Sequence, residues 1–156
     1  MDKELRNSIL RKASYICSRG EQCKSDMVAK IGKWGITNPD EQVEIIDELV
    51  ENGFIDESRY ARAYISEKFR FNHWGRVKLK VMLRAKGIDN HVIELALSEM
   101  DAGEYYEVLK NELLKKKRSV RASNIFDLKG KLMRYAQGKG FETDLIFSAL
   151  LEITGN

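Results

Sequence analysis

The sequence predicts an all-α fold, and three observations lead to that prediction. The 156-residue chain contains a single proline, Pro39, so almost nothing in it breaks a helix. No segment alternates apolar and polar residues as a half-buried strand does. Apolar residues recur instead at helical spacing, as in Ile9, Ala13, Ile16 and Cys17. We therefore expect helix throughout.

The expected helices form groups of three along the chain. A longer helix is predicted at 5–18, 58–71 and 104–117, and a shorter one follows at 25–33, 77–85 and 126–137. A third helix closes each group, and Asp56 and Ser58 are candidate caps for the helix that begins near Arg59. Glycine suits the left-handed position just past a helix end. Four glycines mark such ends: Gly35, Gly53, Gly87 and Gly140.

The same pattern repeats with a period of roughly fifty residues. Lys86-Gly87-Ile88 leads to Ile93, Ala96, Leu97 and Met100, and Lys139-Gly140-Phe141 leads to Ile146, Ala149, Leu150 and Ile153. Trp34-Gly35-Ile36 begins a looser copy. We expect three tandem three-helix repeats at residues 1–55, 56–101 and 102–156. Since one such unit cannot bury its apolar surface alone, the repeats should stack into an elongated, curved array.

Positive charge is concentrated in the middle of the chain. The net charge is only +3, but residues 59–86 carry nine cations and one acid, Glu67, so that stretch is +8 and the remainder is −5. Solvated helix faces usually mix both signs, so the bias favours a polyanionic partner. The nine cations are Arg59, Arg62, Lys68, Arg70, Arg76, Lys78, Lys80, Arg84 and Lys86.

Aromatic residues lie among these cations. Phe71 and Trp74 are suited to stacking on bases or on a partner, although Trp74 could equally be a hydrophobic anchor between two helices. His73 is interpreted as a loop residue, and Gly75 as a position of demanding backbone geometry. A second basic cluster could contact phosphates or simply complement a helix dipole: Lys115, Lys116, Lys117, Arg118 and Arg121.

Motifs for an enzyme or a metal site are missing from the sequence. It has no GxSxG turn and no GxxxxGK[ST] loop, and Gly138-Lys139-Gly140 is interpreted as a helix stop. Cys17 and Cys23 lack CxxC spacing and a neighbouring histidine, whereas zinc needs about four ligands. No run of about 18 apolar residues and no signal-like start are present. We expect a cytoplasmic, non-enzymatic protein without a cofactor.

Two central motifs resemble the RecX family. Gly53-Phe54-Ile55-Asp56-Glu57-Ser58-Arg59-Tyr60-Ala61 is similar to that family's G-(L/F)-(L/I)-D-D-x-R-F-A, with Glu57 in place of the second Asp and Tyr60 in place of Phe. The stretch from Trp74 to Ile88 is similar to its aromatic-Gly-x-x-(K/R)-(I/L)-x-x-x-L-x-x-K-G-I. The stretch Arg19–Ile31 resembles the family's start.

The resemblance implies tandem three-helix repeats and a function. RecX proteins bind the RecA filament on single-stranded DNA and inhibit strand exchange, ATP hydrolysis and coprotease activity. By this resemblance the chain is a monomeric regulator of DNA repair and of the SOS response. Its filament contacts would be Trp74 and eight of the nine central cations, all except Lys68. The alternative is a helix-turn-helix-like DNA-binding module that acts independently of RecA.

Overall fold

The computed structural model describes residues 2–155 and confirms the all-α prediction. These residues form nine α-helices and one π-helical turn, and no strand occurs among them. The helices are α1 (Lys3–Arg19), α2 (Lys24–Lys33), α3 (Pro39–Glu51), α4 (Glu57–Glu67), α5 (Arg76–Ala85), α6 (Asn90–Ser98), α7 (Ala102–Ser119), α8 (Ile125–Lys139) and α9 (Thr143–Thr154), and the π-helical turn is Lys68–Asn72.

Short polar side chains define where several helices begin. Asn38 accepts hydrogen bonds from two backbone N–H groups at the start of α3, and Asp101 accepts one from Glu104 N at 2.8 Å at the start of α7. Asp56 caps α4, as predicted, because its Oδ1 accepts from Ser58 N at 2.9 Å and Arg59 N at 3.1 Å. Ser58 is not a cap, since it already lies inside the helix.

The helix predicted at 58–71 ends earlier than expected. α4 stops at Glu67, and the next five residues form the π-helical turn. His73 follows with φ 54, the one described non-glycine residue with positive φ. Its N–H donates to both Phe69 O and Lys68 O, and the bond to Lys68, five positions back, closes the wider turn. No local sequence signal predicts this turn.

The chain divides into two compact units. Unit one contains the chain up to Tyr64 together with Leu83–Ile93, and unit two contains Ile65–Met82 together with the chain from Glu94 onward. The core of unit one comprises Ile9, Ala13, Met27, Ile31, Ile36, Ile45, Ile46, Leu49 and Ile55. The core of unit two comprises Tyr105, Leu109, Leu113, Leu132, Ala136, Phe141, Ile146, Ala149 and Leu150. The repeat boundaries given above stay a prediction.

Candidate basic interface

The predicted basic stretch lies on α4, the π-helical turn and α5. Arg59, Arg62, Arg84 and Lys86 belong to unit one. The other cations belong to unit two: Lys68, Arg70, Arg76, Lys78 and Lys80. The side chains of the two sets have different partners.

In unit one, two of the predicted contact residues are engaged in ion pairs. Arg59 donates from Nε to Glu21 Oε1 at 3.0 Å and from Nη2 to Gly53 O at 2.7 Å. Lys86 Nζ lies 3.0 Å from Asp26 Oδ1. These contacts tie each cation to unit one, so reaching an external partner would require breaking them.

The Lys86–Asp26 pair also shifts both titrations. The hydrogen bond that Lys86 donates to Asp26 raises the pKa of Lys86, although partial burial opposes that rise. Burial by itself would raise the pKa of Asp26, but hydrogen bonds from Lys86 and Cys23 prevail and lower it. Both groups therefore stay charged over a wide pH range.

The remaining unit-one cations are exposed. Arg84 lies on the solvent side of α5, and it forms no ion pair with any residue the structure describes. Arg62 is exposed on α4. Arg84 is thus a more accessible candidate for an external anion than Arg59 or Lys86, because it can bind one without breaking an ion pair within the described residues.

In unit two, the start of α5 is joined to the end of α8. Gly75 N–H donates to Lys139 O at 2.7 Å, and Val77 N–H donates to Gly140 O at 2.9 Å. The carbonyls at one helix end thus satisfy the free donors of another. A Cβ on Gly75 would lie 2.5 Å from Phe141 N, so only glycine fits there. Gly75 was expected to have a demanding backbone dihedral, but it is not among the glycines with positive φ, and glycine is required there by this close approach instead.

Arg76 completes the joint. Its N–H donates to Tyr105 Oη at 2.9 Å, its guanidinium stacks 3.9 Å from the Tyr105 ring centroid, and Nη1 lies 2.8 Å from Glu142 Oε2. Tyr105 in turn donates to Glu142 Oε1. Burial, followed by this hydrogen bond, raises the pKa of Tyr105. The structure thus gives Arg76 a role within the fold.

The Trp74 ring has two ammonium groups close to it. Lys68 Nζ is 5.4 Å and Lys78 Nζ is 4.6 Å from a Trp74 ring centroid, and the indole is half-buried. Phe71, by contrast, is 73% exposed. Lys80 forms an ion pair with Glu94. Arg70, in the middle of the π-helical turn, is exposed and has no ion-pair partner within residues 2–155.

His73, interpreted from sequence as a plain loop residue, has a partner. Its Nδ1 forms a hydrogen bond with Glu112 Oε1, and Tyr135 donates to Glu112 Oε2 at 3.0 Å. Glu112 is only 6% exposed. Burial would raise its pKa, but the hydrogen bonds from His73 and Tyr135, with the charge of Lys139, lower it. Since 39 positions separate the pair, no sequence spacing could have revealed it.

The second predicted cluster separates into engaged and exposed side chains. Lys116 Nζ lies 5.0 Å from the Tyr135 ring centroid, and Lys117 donates to Ile153 O at 3.0 Å. Lys115 and Arg118 are exposed at a groove of about 340 Å³ that His73 and Asn111 also line. The Arg121 side chain is exposed, while its carbonyl accepts from Lys131 at 2.6 Å.

Other kinds of site are not apparent in the described part of the chain. Residues 2–155 hold no cluster of three or more histidine, cysteine or acidic side chains arranged for a metal ion. None of their helices combines the length and apolar character needed to cross a bilayer. Cys17 and Cys23 are free thiols on α1 and just before α2.

Comparison with known proteins identifies the family. Residues 56–97 match the profile described as RecX, second three-helix domain, and residues 103–150 match RecX, third three-helix domain. The chain belongs to the RecX family. A regulatory protein RecX from Clostridium acetobutylicum is 36% identical over 113 residues, which cover 70% of this chain and 52% of that protein. One from Acinetobacter baylyi is 26% identical over 151 residues, which cover 96% and 91%.

The lengths of these relatives differ. The chain spans about half of the Clostridium relative, and the Bacillus subtilis regulatory protein RecX, 32% identical over 120 residues, is covered to 44%. RecX from Lactobacillus salivarius has a crystal structure that superposes with a TM-score of 0.83 at 21% identity, covering 98% of this chain and 99% of that one. Another RecX crystal structure gives 0.81 at 23% identity, covering 90% and 69%. Both likenesses show the fold.

Proposed function

We propose that this chain is a cytoplasmic, non-enzymatic regulator of RecA. It binds the RecA–single-stranded DNA filament and inhibits its recombinase, ATPase and coprotease activities, thereby modulating DNA repair and the SOS response. The observation that supports this proposal most is the match to two RecX domains over residues 56–97 and 103–150. The +8 charge of residues 59–86 adds a reason for contact with a polyanion.

Within this proposal, the cations differ in whether binding a partner would require breaking an internal ion pair. Arg70 and Arg84 are exposed and form no ion pair among the described residues. They can pair with phosphates or carboxylates without losing an internal contact. Arg59, Arg76, Lys80 and Lys86 already have carboxylate partners. The two free arginines should therefore dominate binding, and Lys115, Arg118 and Arg121 are further candidates.

ATP hydrolysis by RecA from the same source on single-stranded DNA tests the activity. Inhibition at well below one protein per RecA is expected, because a bound regulator would impede filament growth. No effect at equimolar protein, with DNA binding intact, would instead favour a DNA-binding module independent of RecA. The protein acting as a monomer should sediment as a single 18.0 kDa species.

A double charge reversal tests the assignment of Arg70 and Arg84 as filament contacts. Arg70→Glu with Arg84→Glu should weaken inhibition at least about tenfold, since each reversal replaces attraction by repulsion. The matched control is Arg11→Glu with Lys33→Glu, two exposed cations outside the basic stretch with the same change of net charge. Equal losses of inhibition in both pairs would contradict the assignment of Arg70 and Arg84 as filament contacts. Phosphate contacts would also make binding weaken by roughly 0.7 log unit per contact for each tenfold rise in salt.

A further inference from the structure

Helices α8 and α9 leave an apolar groove open to solvent. It has a volume of about 420 Å³ and is lined by Lys129, Gly130, Met133, Phe147, Leu150 and Leu151. α9 buries Ile146, Ala149 and Leu150 in the core of unit two. Phe147 and Leu151, one turn apart on its other side, are 59% and 55% exposed. Exposed apolar side chains gathered around a concave surface indicate a contact site.

Two cations border this groove. Lys129 is part of its lining, and Arg134 Nη1 lies 3.4 Å from the point where a Cβ on Gly130 would be. Among the described residues neither cation forms an ion pair or a side-chain hydrogen bond. Two carboxylates of these helices are already paired, Asp127 with Lys131 at 3.2 Å and Glu152 with Lys110 at 3.1 Å, whereas Asp144, one turn before Phe147, is exposed and forms no ion pair among the described residues. The lining itself contains a lysine and no acidic residue. The groove is therefore apolar inside and positive at its edge.

We propose that this groove binds an acidic amphipathic segment of a partner protein. Apolar side chains of the segment would fill the space between Met133, Phe147 and Leu151, and its carboxylates would meet Lys129 and Arg134. Burial of the apolar side chains supplies most of the affinity, and the cations favour a partner segment with negative charge. The groove contains none of the cations assigned to the filament, so this contact goes beyond the proposed function.

Other occupants fit less well. A nucleic acid needs hydrogen-bond donors along its phosphates, whereas the walls here are carbon-rich. A second copy would meet this face with the same face in a two-fold dimer. Lys129 and Arg134 of both copies would then share one interface, and like charges brought together oppose association.

A designed peptide tests the proposal without RecA. The probe is a fluorescein-labelled helix of about 15 residues with leucine and phenylalanine on one face and glutamate elsewhere. Its control replaces every glutamate by lysine. Fluorescence anisotropy should show saturable binding of the acidic peptide, and at least about tenfold weaker binding of the lysine peptide. Equal binding of both peptides, or no binding of the acidic peptide at about 1 mM, would overturn the proposal.

Variants locate the binding. Phe147→Ala and Arg134→Ala should each weaken binding of the acidic peptide by about fivefold or more. Both side chains are exposed, so the fold should survive these changes. Phe126→Ala is the matched control, because Phe126 is 82% exposed on α8 and does not line the groove. Unchanged binding in Phe147→Ala would refute the site. A dimer in sedimentation that Phe147→Ala abolishes would show a second copy as occupant and also overturn the proposal.

Discussion

Two turns with nearly the same sequence have different surroundings. Lys86-Gly87-Ile88 in unit one and Lys139-Gly140-Phe141 in unit two both end a helix with a left-handed glycine, at φ 81 and φ 97. In both, the next residue is buried and donates back to the helix, Ile88 to Leu83 O at 3.2 Å and Phe141 to Ala136 O at 3.1 Å. The two turns therefore share the same backbone conformation at glycine and the same hydrogen bond back to the helix.

The difference lies in what approaches each glycine. A Cβ on Gly87 would have nothing within 4 Å beyond its own chain neighbours, whereas a Cβ on Gly140 would lie 2.7 Å from Lys78 N. The lysines also differ, since Lys86 pairs with a carboxylate and Lys139 donates to Asn72 O at 2.5 Å. One turn is a helix end, and the other is a helix end that also forms a tertiary joint.

The largest expected effect separates these two glycines. Gly87→Ala should cost about 1–2 kcal/mol, the cost of a left-handed residue with a side chain. Gly140→Ala should cost about 1–3 kcal/mol more, because the methyl group also collides with α5. Urea unfolding of both variants measures the difference. Equal costs would mean that the α5–α8 joint relaxes to admit a methyl group.

Glu112→Gln should have the next largest effect, because Glu112 is only 6% exposed and forms hydrogen bonds with His73 and Tyr135. Replacing this buried carboxylate by an amide removes its charged hydrogen bonds with His73 and Tyr135. We expect the free energy of unfolding to fall by roughly 1.5–3 kcal/mol. The folded pKa of Glu112 is lowered, so its contribution is present above the unfolded value of about 4.3 and lost as pH falls through the folded pKa.

Urea unfolding at pH 7 and below pH 4 checks the Glu112 prediction. The gap between the original protein and Glu112→Gln should narrow at the lower pH. Glu107→Gln on the same helix is the control, because its pair with Lys110 spans 3.5 Å and the Glu107 side chain is 60% exposed. A gap that stays constant with pH would show that the charge of Glu112 contributes nothing.

The two turns also differ in how much of their structure the sequence predicts. The helix ends at Gly87 and Gly140 follow from local rules, so both were predicted. The collision at Gly140 depends on α5, about sixty positions away, and no repeat pattern encodes it. For the same reason, the sequence predicted the cations of residues 59–86 as one set. It did not predict which of them form ion pairs within the chain and which remain exposed without one. Arg76 pairs with Glu142, 66 positions away, which only tertiary packing decides.

The smallest expected effect concerns the lysine of the simpler turn. The Lys86–Asp26 pair is about one-third exposed on both sides, so solvent screens it. A double-mutant cycle with Lys86→Met and Asp26→Asn should give a coupling below about 1 kcal/mol. Because the pKa of Asp26 is lowered, the coupling should be present above about pH 4 and lost as pH falls through the folded pKa.

The raised pKa of Lys86 gives the other limit, with stability present below its unfolded value of about 10.4 and lost as pH rises through the folded value. Lys24→Met, an exposed lysine in the same unit, is the control and should be neutral at every pH. A coupling above about 2 kcal/mol would mean that the pair is shielded from solvent. Lys86 would then be a poor candidate for filament contact, because an incoming phosphate would have to displace Asp26.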